Sequence, residues 1–378
     1  VSRPLRDAPA RPEDLLAALR SALTSTGAAV ALGDADATEV PAGVAVVVRT
    51  SGSTGEPRAV LLSTAALRAS AAATHARLAG PGRWLLALPA QHVAGVQVLV
   101  RSVLAGTTPV LLEAGPFRSP AFVAATAALA DDRPRYTSLV PTQLVRLLED
   151  PAGSAALATF DAVLLGGAAA TPDLLARARA ADVRVVTTYG MTETCGGCVY
   201  DGRPLDGVTV RLDDEGRILL AGPVLADGYL GRPDLDAEAF VQVDGVRYLR
   251  TTDLGTWSGD TLSVLGRADD VLVTGGVKVP PGPVESAVAA LPGVGEVCVV
   301  GVSDPEWGQA VVAVVVVRPG STAPTLDAVR AHVTDRLGAA HAPRHLVFTD
   351  SLPVRGPGKI DRRAATLLAA RQLERNHT

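Results

Sequence analysis

Between Val44 and Gly190 the chain alternates short apolar runs with helix-patterned stretches, and this alternation limits the possible folds more than any other feature. Runs of strand length lie at Val44–Val48, Ala59–Leu62, Trp84–Leu88, Val110–Leu112, Tyr136–Val140, Ala162–Leu165 and Val183–Thr187. Helical spacing falls between several of them, over Thr64–Leu78 with Thr64 as N-cap, Val93–Leu104, Pro120–Ala130, Pro141–Leu148 and Pro172–Ala180. Such alternation predicts a mainly parallel sheet covered by helices, because a parallel neighbour can be reached only by a crossover.

The pattern changes on either side. Residues 1–43 read as a short amphipathic helix, Pro12–Arg20, followed by a Gly/Ala/Asp-rich loop. Beyond Gly190, Val208–Leu212 with Arg217–Leu220, and Leu254–Trp257 with Thr261–Leu265, read as hairpins, so a β-barrel-like subregion is expected over 205–267. A third composition begins after Asp270, with helices at Val284–Leu291, Leu326–Leu337 and from Asp361, and strands at Val297–Val302 and Val311–Val317. The expected class is α/β: a large N-terminal domain over 1–267 and a small, mobile α+β domain over 268–378.

Composition removes several functions. Aromatic residues make up 3% of the 378 positions, so Ala, Val and Leu must fill the core. A net charge of -4 gives no basic footprint for nucleic acid. No apolar run reaches a membrane span, and residues 1–20 are charged rather than signal-like, so the expectation is a cytoplasmic protein without membrane insertion. Cys195 and Cys198 have zinc or redox spacing, but a structural zinc site needs four ligands and no second pair exists, so no metal role is assigned to them. Of 35 basic residues only Lys278 and Lys359 are lysine. Where a chain uses arginine so consistently, the two lysines mark positions where a compact ammonium matters.

The chemistry concentrates first in Thr50-Ser-Gly-Ser-Thr-Gly-Glu-Pro-Arg58. Gly52 and Gly55 let the backbone turn N–H groups toward an anion, and Thr50, Ser51, Ser53 and Thr54 add hydroxyl donors. The ordinary phosphate loop G-x-x-x-x-G-K-[ST] does not fit, since Pro57 stands where its second glycine belongs and no lysine follows. The run instead resembles [ST]-S-G-[ST]-T-G-x-P-K, the nucleotide loop of the adenylate-forming enzymes, the acyl-CoA synthetase and adenylation-domain superfamily. Only Arg58, in place of lysine, departs from it.

Further motifs carry the same resemblance. Tyr189-Gly-Met-Thr-Glu193 matches Y-G-x-T-E, which implies Tyr189 and Gly190 against adenine, Thr192 at the α-phosphate and Glu193 on a magnesium ion. Leu165-Gly-Gly-Ala-Ala169 implies a wall of the adenine and acyl pockets at Gly167 and Ala168. Arg250-Thr-Thr-Asp253 is similar to T-G-D with Thr252 for glycine, and implies Asp253 on the ribose hydroxyls. Gly266–Lys278 matches G-R-x-D-D-x-[IV]-x-x-x-G-x-[KR]; it implies Arg267 on ribose or phosphate, Asp269 as the hinge, and Gly275, Gly276 and Lys278 near CoA. Pro353–Arg362 matches P-x-x-x-x-G-K-[IVL]-x-R and implies Lys359 as the catalytic cation of adenylation. In Pro89–Gly95 the P-x-x-H-x-x-G pattern implies that His92 lines the acyl pocket and guards the thioester channel.

The activity implied is a two-step, ATP- and magnesium-dependent acid–thiol ligation through an acyl-adenylate, with CoA as thiol and rotation about Asp269 between the steps. Leu88–Gly95, Arg101–Leu104, Leu165–Gly167 and Tyr189–Cys195 together resemble the o-succinylbenzoate-CoA ligases of menaquinone biosynthesis. Only 49 residues precede Thr50. That implies a short form whose acyl pocket is more open or is completed by the second subunit of a homodimer. Two alternatives stay open at this point: an adenylation enzyme loading an aryl or amino acid onto a carrier protein, and a non-catalytic nucleotide-binding regulator.

Overall fold

The computed structural model describes residues 1–24, 27–50, 58–113, 115–129, 132–355 and 359–376. The chain divides into two compact units: residues 1–167, 177–211 and 219–251 form one, and residues 168–176, 212–218 and 252–378 the other.

The first unit contains a seven-stranded sheet in the order Arg203–Pro204, Gly196–Tyr200, Val185–Met191, Ala162–Leu165, Arg135–Leu139, Arg83–Leu86 and Val110–Leu111. Its five strands from Val185–Met191 to Val110–Leu111 pair in parallel, as the alternation predicts. The runs of Arg83–Leu86 and Ala162–Leu165, in the middle of these, are buried on both faces, which is why they read as continuous rather than alternating. Helices Val93–Leu104, Pro141–Glu149 and Pro172–Ala180 lie at or within two residues of the expected bounds. The cap of Thr64–Arg77 is Ser63 and not Thr64: the Ser63 hydroxyl accepts from the Ala66 N–H at 3.2 Å.

The helix expected at Pro12–Arg20 forms over Pro12–Leu23, but a six-stranded sheet corrects the reading of the rest of the first 43 residues as loop. Its order is Gly228–Tyr229, Arg58–Ser63, Val44–Thr50, Ala29–Leu32, Ser2–Asp7 and Glu39–Pro41, so three of its strands precede Val44. Ser2–Asp7 escapes an apolar-pattern reading because Arg3 points inward beside Leu5, with only 6% of its surface exposed. Its guanidinium is satisfied by backbone, donating to the carbonyls of Ala22 at 2.8 Å, Gly27 at 2.6 Å and Val44 at 3.1 Å.

In the second unit, Val294–Asp304 and Gly308–Val317 form a long antiparallel hairpin. Period-two alternation sends Val297, Val299, Val311, Ala313 and Val315 to one face, and Cys298, Val300, Val312 and Val314 to the other. Helices Pro281–Ala289 and Leu326–Leu337 cover the first face through Val284, Val288, Val329 and Val333. The last helix, Arg362–Asn376, covers the second through Ala365 and Ala369. Among the described residues no helix is long and apolar enough to cross a membrane.

Candidate active site

The expected site residues of the first unit lie where strands end. Thr50 closes one strand and Arg58 opens the next; the two are register partners, and the Thr50 hydroxyl donates to the Arg58 carbonyl at 3.3 Å. Ser51, Gly52, Ser53, Thr54 and Gly55, which join them, lie outside the described residues. In the parallel sheet, Leu139, Leu165 and Thr187 are register neighbours, so Gly166-Gly167 and the Tyr189–Glu193 segment continue adjacent strands at the same edge of the sheet. The carboxyl edge of an open α/β sheet is where such folds bind ligands.

Glycine is required locally. At Gly190 the register shifts, and a Cβ there would fall on the carbonyl oxygen of Gly196 in the neighbouring strand. After Gly190 the chain makes one tight turn, Thr192–Thr194, and Cys195 takes the left-handed conformation at φ 53°. Thr194 pins the turn by accepting from the Met191 N–H at 2.9 Å. Thr192 and Glu193 therefore stand half-exposed on a turn whose backbone has little freedom.

Glu193 has a partner that sequence reading missed. The Tyr229 hydroxyl donates to Glu193 Oε1 at 2.9 Å, and the Arg58 guanidinium lies over the Tyr229 ring, 5.6 Å from its centroid. Burial, and then the Glu193 charge, raise the Tyr229 phenol well above its usual range, so it stays a donor. Tyr229 reaches Glu193 because Gly228–Tyr229 pairs with Val60 and Leu61 while the Ala226 N–H donates to the Glu193 carbonyl at 2.8 Å. Arg247 braces the same segment by donating to the carbonyls of Ala226 at 2.9 Å and Asp227 at 3.0 Å. The available signal was rarity: Tyr229 is one of five tyrosines in the chain.

His92 is exposed and caps the helix Val93–Leu104 through its backbone, its carbonyl accepting from the Val96 N–H at 3.0 Å. Gly95, one turn on, lies so close to the Pro89 carbonyl that a Cβ would overlap it, which holds the Pro89–Gly95 segment down on the helix start.

The second unit holds Ala168, Asp253, Arg267, Asp269, Gly275, Gly276, Lys278 and Lys359. Asp253 and Arg267 face each other on paired strands. Arg267 also pairs with Asp269 at 2.9 Å, across the turn Ala268–Asp270. The neighbouring Asp270 is held by Arg362 at 3.2 Å, and Arg362 reaches Glu285 at 2.5 Å, which ties that turn to the last helix. Gly275 packs on Trp307, where a Cβ would stand 2.7 Å from the ring, whereas Gly276 faces open space and Lys278 is exposed. Lys359 begins a short strand paired with Val354–Arg355; residues 356–358, the glycine loop before it, lie outside the described residues.

All three cysteines are free and buried. Burial pushes Cys198 and Cys298 up to about 12 and raises Cys195 as well, so at pH 8 the thiolate is scarce as well as hidden. Native protein treated with iodoacetamide at pH 8 is accordingly expected to stay unlabelled by intact mass, and urea-unfolded protein to take three labels. Rapid native labelling of Cys195 or Cys198 would contradict this packing.

The AMP-binding enzyme family matches residues 6–230, and the AMP-binding enzyme C-terminal domain matches residues 283–359. A probable 2-succinylbenzoate–CoA ligase of Mycobacterium tuberculosis is 50% identical over 325 residues, covering 85% of this chain and 83% of its own. Among solved structures, the amide bond synthetase McbA of Marinactinospora thermotolerans superposes with a TM-score of 0.77 at 30% identity, covering 90% of this chain and 75% of its own. The o-succinylbenzoate CoA synthetase of Bacillus subtilis, in complex with the acyl-adenylate OSB-AMP, gives 0.71 at 27% identity, covering 85% and 69%.

Proposed function

This chain belongs to the AMP-binding enzyme family, and we propose that it joins 2-succinylbenzoate to CoA in two steps, as a ligase of menaquinone biosynthesis in the cytoplasm. In the first, a substrate carboxylate oxygen bonds to the α-phosphorus of ATP and the bond to the departing pyrophosphate breaks. In the second, the CoA sulfur bonds to the acyl carbon, AMP leaves with the former C–O bond pair, and the thiol proton goes to solvent. The single observation that carries the substrate is the 50% identity, sustained over most of both chains, to the probable 2-succinylbenzoate–CoA ligase of Mycobacterium tuberculosis.

The obstacle in the first step is that two anions must meet, so the protein's task is positioning and charge neutralisation. We assign the loop 50–58 to the β- and γ-phosphates, Thr192 to the α-phosphate, Tyr189 with Gly190, Gly167 and Ala168 to the adenine and acyl walls, and Asp253 and Arg267 to the ribose. Lys359 brings its ammonium to the α-phosphate. His92 borders the thioester channel, Gly275, Gly276 and Lys278 take the CoA arm, and Asp269 is the hinge.

Magnesium fits Glu193. A hard divalent cation wants oxygen ligands and few protein ones, and Glu193 offers a carboxylate whose Oε1 is already oriented by Tyr229. When bound, the ion neutralises charge on the phosphates. Tyr229 is then a positioning residue, and Tyr229→Phe is expected to lower kcat/KM for adenylate formation about tenfold, the order lost with one hydrogen bond to a charged group. The magnesium concentration giving half-maximal rate should rise in the same variant; an unchanged magnesium requirement would remove Tyr229 from this role. We carry a homodimer as part of the proposal, to be decided by light scattering.

The test is a reaction with 2-succinylbenzoate, ATP, magnesium and CoA in which AMP, pyrophosphate and thioester appear in equal amounts. Production of ADP, or AMP release that does not depend on the acid, would overturn the reading. A second reading, with an amine as acceptor, is favoured by the amide bond synthetase likeness. Adenylate that persists with CoA but disappears with a primary amine would select it.

A further inference from the structure

Two motif residues without an assigned role meet in the second unit. Asp270 follows the hinge residue in the turn Ala268–Asp270, and Arg362 opens the last helix just after the strand of Lys359. Arg362 Nε pairs with Asp270 Oδ2 at 3.2 Å. Its two terminal nitrogens grip Glu285 as a fork, Nη1 donating to Oε1 at 2.5 Å and Nη2 to Oε2 at 3.1 Å. Nη1 also donates to the Val299 carbonyl at 2.8 Å, while Glu285 Oε1 accepts from the Val299 N–H at 2.8 Å. One guanidinium thus joins the turn to the helix Pro281–Ala289, the strand Val294–Asp304 and the last helix. Both helices pack on the faces of the hairpin that this strand begins, so they form one body, and Lys359 leads directly into it.

The carboxylate one residue earlier turns the other way. Asp269 pairs at 2.9 Å with Arg267, which ends the strand Thr261–Arg267 that enters the turn. That pair is open to solvent, the Asp269 side chain being 62% exposed against 31% for Asp270. A solvated single pair contributes little and opens readily, whereas a largely enclosed guanidinium with all three nitrogens engaged does not. Adjacent carboxylates in one turn are therefore drawn to opposite sides, Asp269 back toward the incoming strand and Asp270 forward onto the body that follows. A swing of that body relative to the strand must then use backbone before Asp270. Turning the chain at or after Asp270 would pull its carboxylate off Arg362.

We propose that Asp270 and Arg362 form a clamp that confines the rotation between the two half-reactions to the backbone of Asp269. This rests on the two-step reading, with Asp269 as the hinge. Asp270 and Arg362 are then positioning residues, which act through the joint and not on the substrate. A joint with one pivot returns Lys359 to the same place in every cycle.

The test is a suppressor experiment on the complete ligation, followed as thioester formed from 2-succinylbenzoate, ATP, magnesium and CoA. Proline fixes φ at a value that a tight turn of this kind shares, so Asp269→Pro should fold and yet lower turnover about 100-fold. Asp270→Ala alone should stay within about threefold of wild type, because Glu285 still holds Arg362. Added to Asp269→Pro, it frees a second pivot and should raise turnover about tenfold above that of Asp269→Pro. Loss of a merely structural contact would only deepen the defect. A double variant as slow as Asp269→Pro, or slower, would overturn the proposal, as would Asp269→Pro turning over at the wild-type rate. If circular dichroism shows Asp269→Pro unfolded, trypsin reads the joint without it: Asp270→Ala should be cut after Arg267 about fivefold faster than wild type, with cleavage elsewhere unchanged. Acceleration at every site alike, or none after Arg267, would overturn the proposal. Wild-type protein that forms no thioester from 2-succinylbenzoate would overturn the functional reading and this inference with it. An active wild type without suppression would overturn this inference alone.

Discussion

Lys359→Ala is expected to abolish acyl-adenylate formation while thioester formation from supplied acyl-adenylate continues within about threefold of the wild-type rate. The carboxylate and the triphosphate repel each other, and the transition state concentrates negative charge at the α-phosphate. One preorganised cation at that point contributes about 3–4 kcal/mol, or roughly two to three orders of magnitude in rate. Thiol attack on the acyl-adenylate needs no such cation, because its reacting carbon is neutral and AMP leaves as a stable anion. The structure places the Lys359 backbone at the start of a two-residue strand paired with Val354–Arg355, directly after the Gly-Pro-Gly segment 356–358. Composition sharpens the prediction: a chain that writes arginine almost everywhere keeps lysine here. Pyrophosphate exchange reads the first half-reaction and thioester absorbance the second. Equal loss in both would remove Lys359 from its assigned role.

Glu193→Gln should be nearly as damaging, for a different reason. The substitution preserves shape and still offers Tyr229 an oxygen, so the turn Thr192–Thr194 should survive. What disappears is the negative charge that a magnesium ion needs. The expected result is a fall in kcat of about 100-fold with a higher magnesium requirement, and little change in melting temperature. Wild-type magnesium dependence in this variant would show that the ion is held elsewhere. Comparison with Tyr229→Phe separates the two contributions, since that variant keeps the charge and loses its orientation.

How much of this was legible in sequence depends on how each element is stabilised. The parallel strand Ala162–Leu165 announces itself because both faces are buried and the run is apolar throughout. Ser2–Asp7 does not, because the residue turned inward beside Leu5 is Arg3, made tolerable by three carbonyl groups distant in sequence. No local pattern encodes that arrangement. The glycines behave similarly: Gly190 reads as a motif position, but its necessity comes from the Gly196 carbonyl pressed against it.

Within the site, residues that share one loop could be read together, as in Thr50–Arg58 or Tyr189–Glu193. Tyr229 and Arg247 could not. Tyr229 meets Glu193 across 36 positions, and Arg247 braces the segment before Tyr229 from a strand still further along. Arg101 was visible as part of a family-like run, yet only packing shows that its charge is buried with no carboxylate paired to it among the described residues. Pairings made by tertiary structure leave no spacing rule to find.

The acid that the enzyme joins to CoA can be identified by direct competition. Wild-type protein with ATP, magnesium, CoA and an equimolar mixture of 2-succinylbenzoate, ferulate and octanoate, followed by mass spectrometry of the thioesters, shows it in one reaction. 2-Succinylbenzoyl-CoA is expected as the dominant product from the earliest time point. Dominance of feruloyl-CoA or octanoyl-CoA would contradict it.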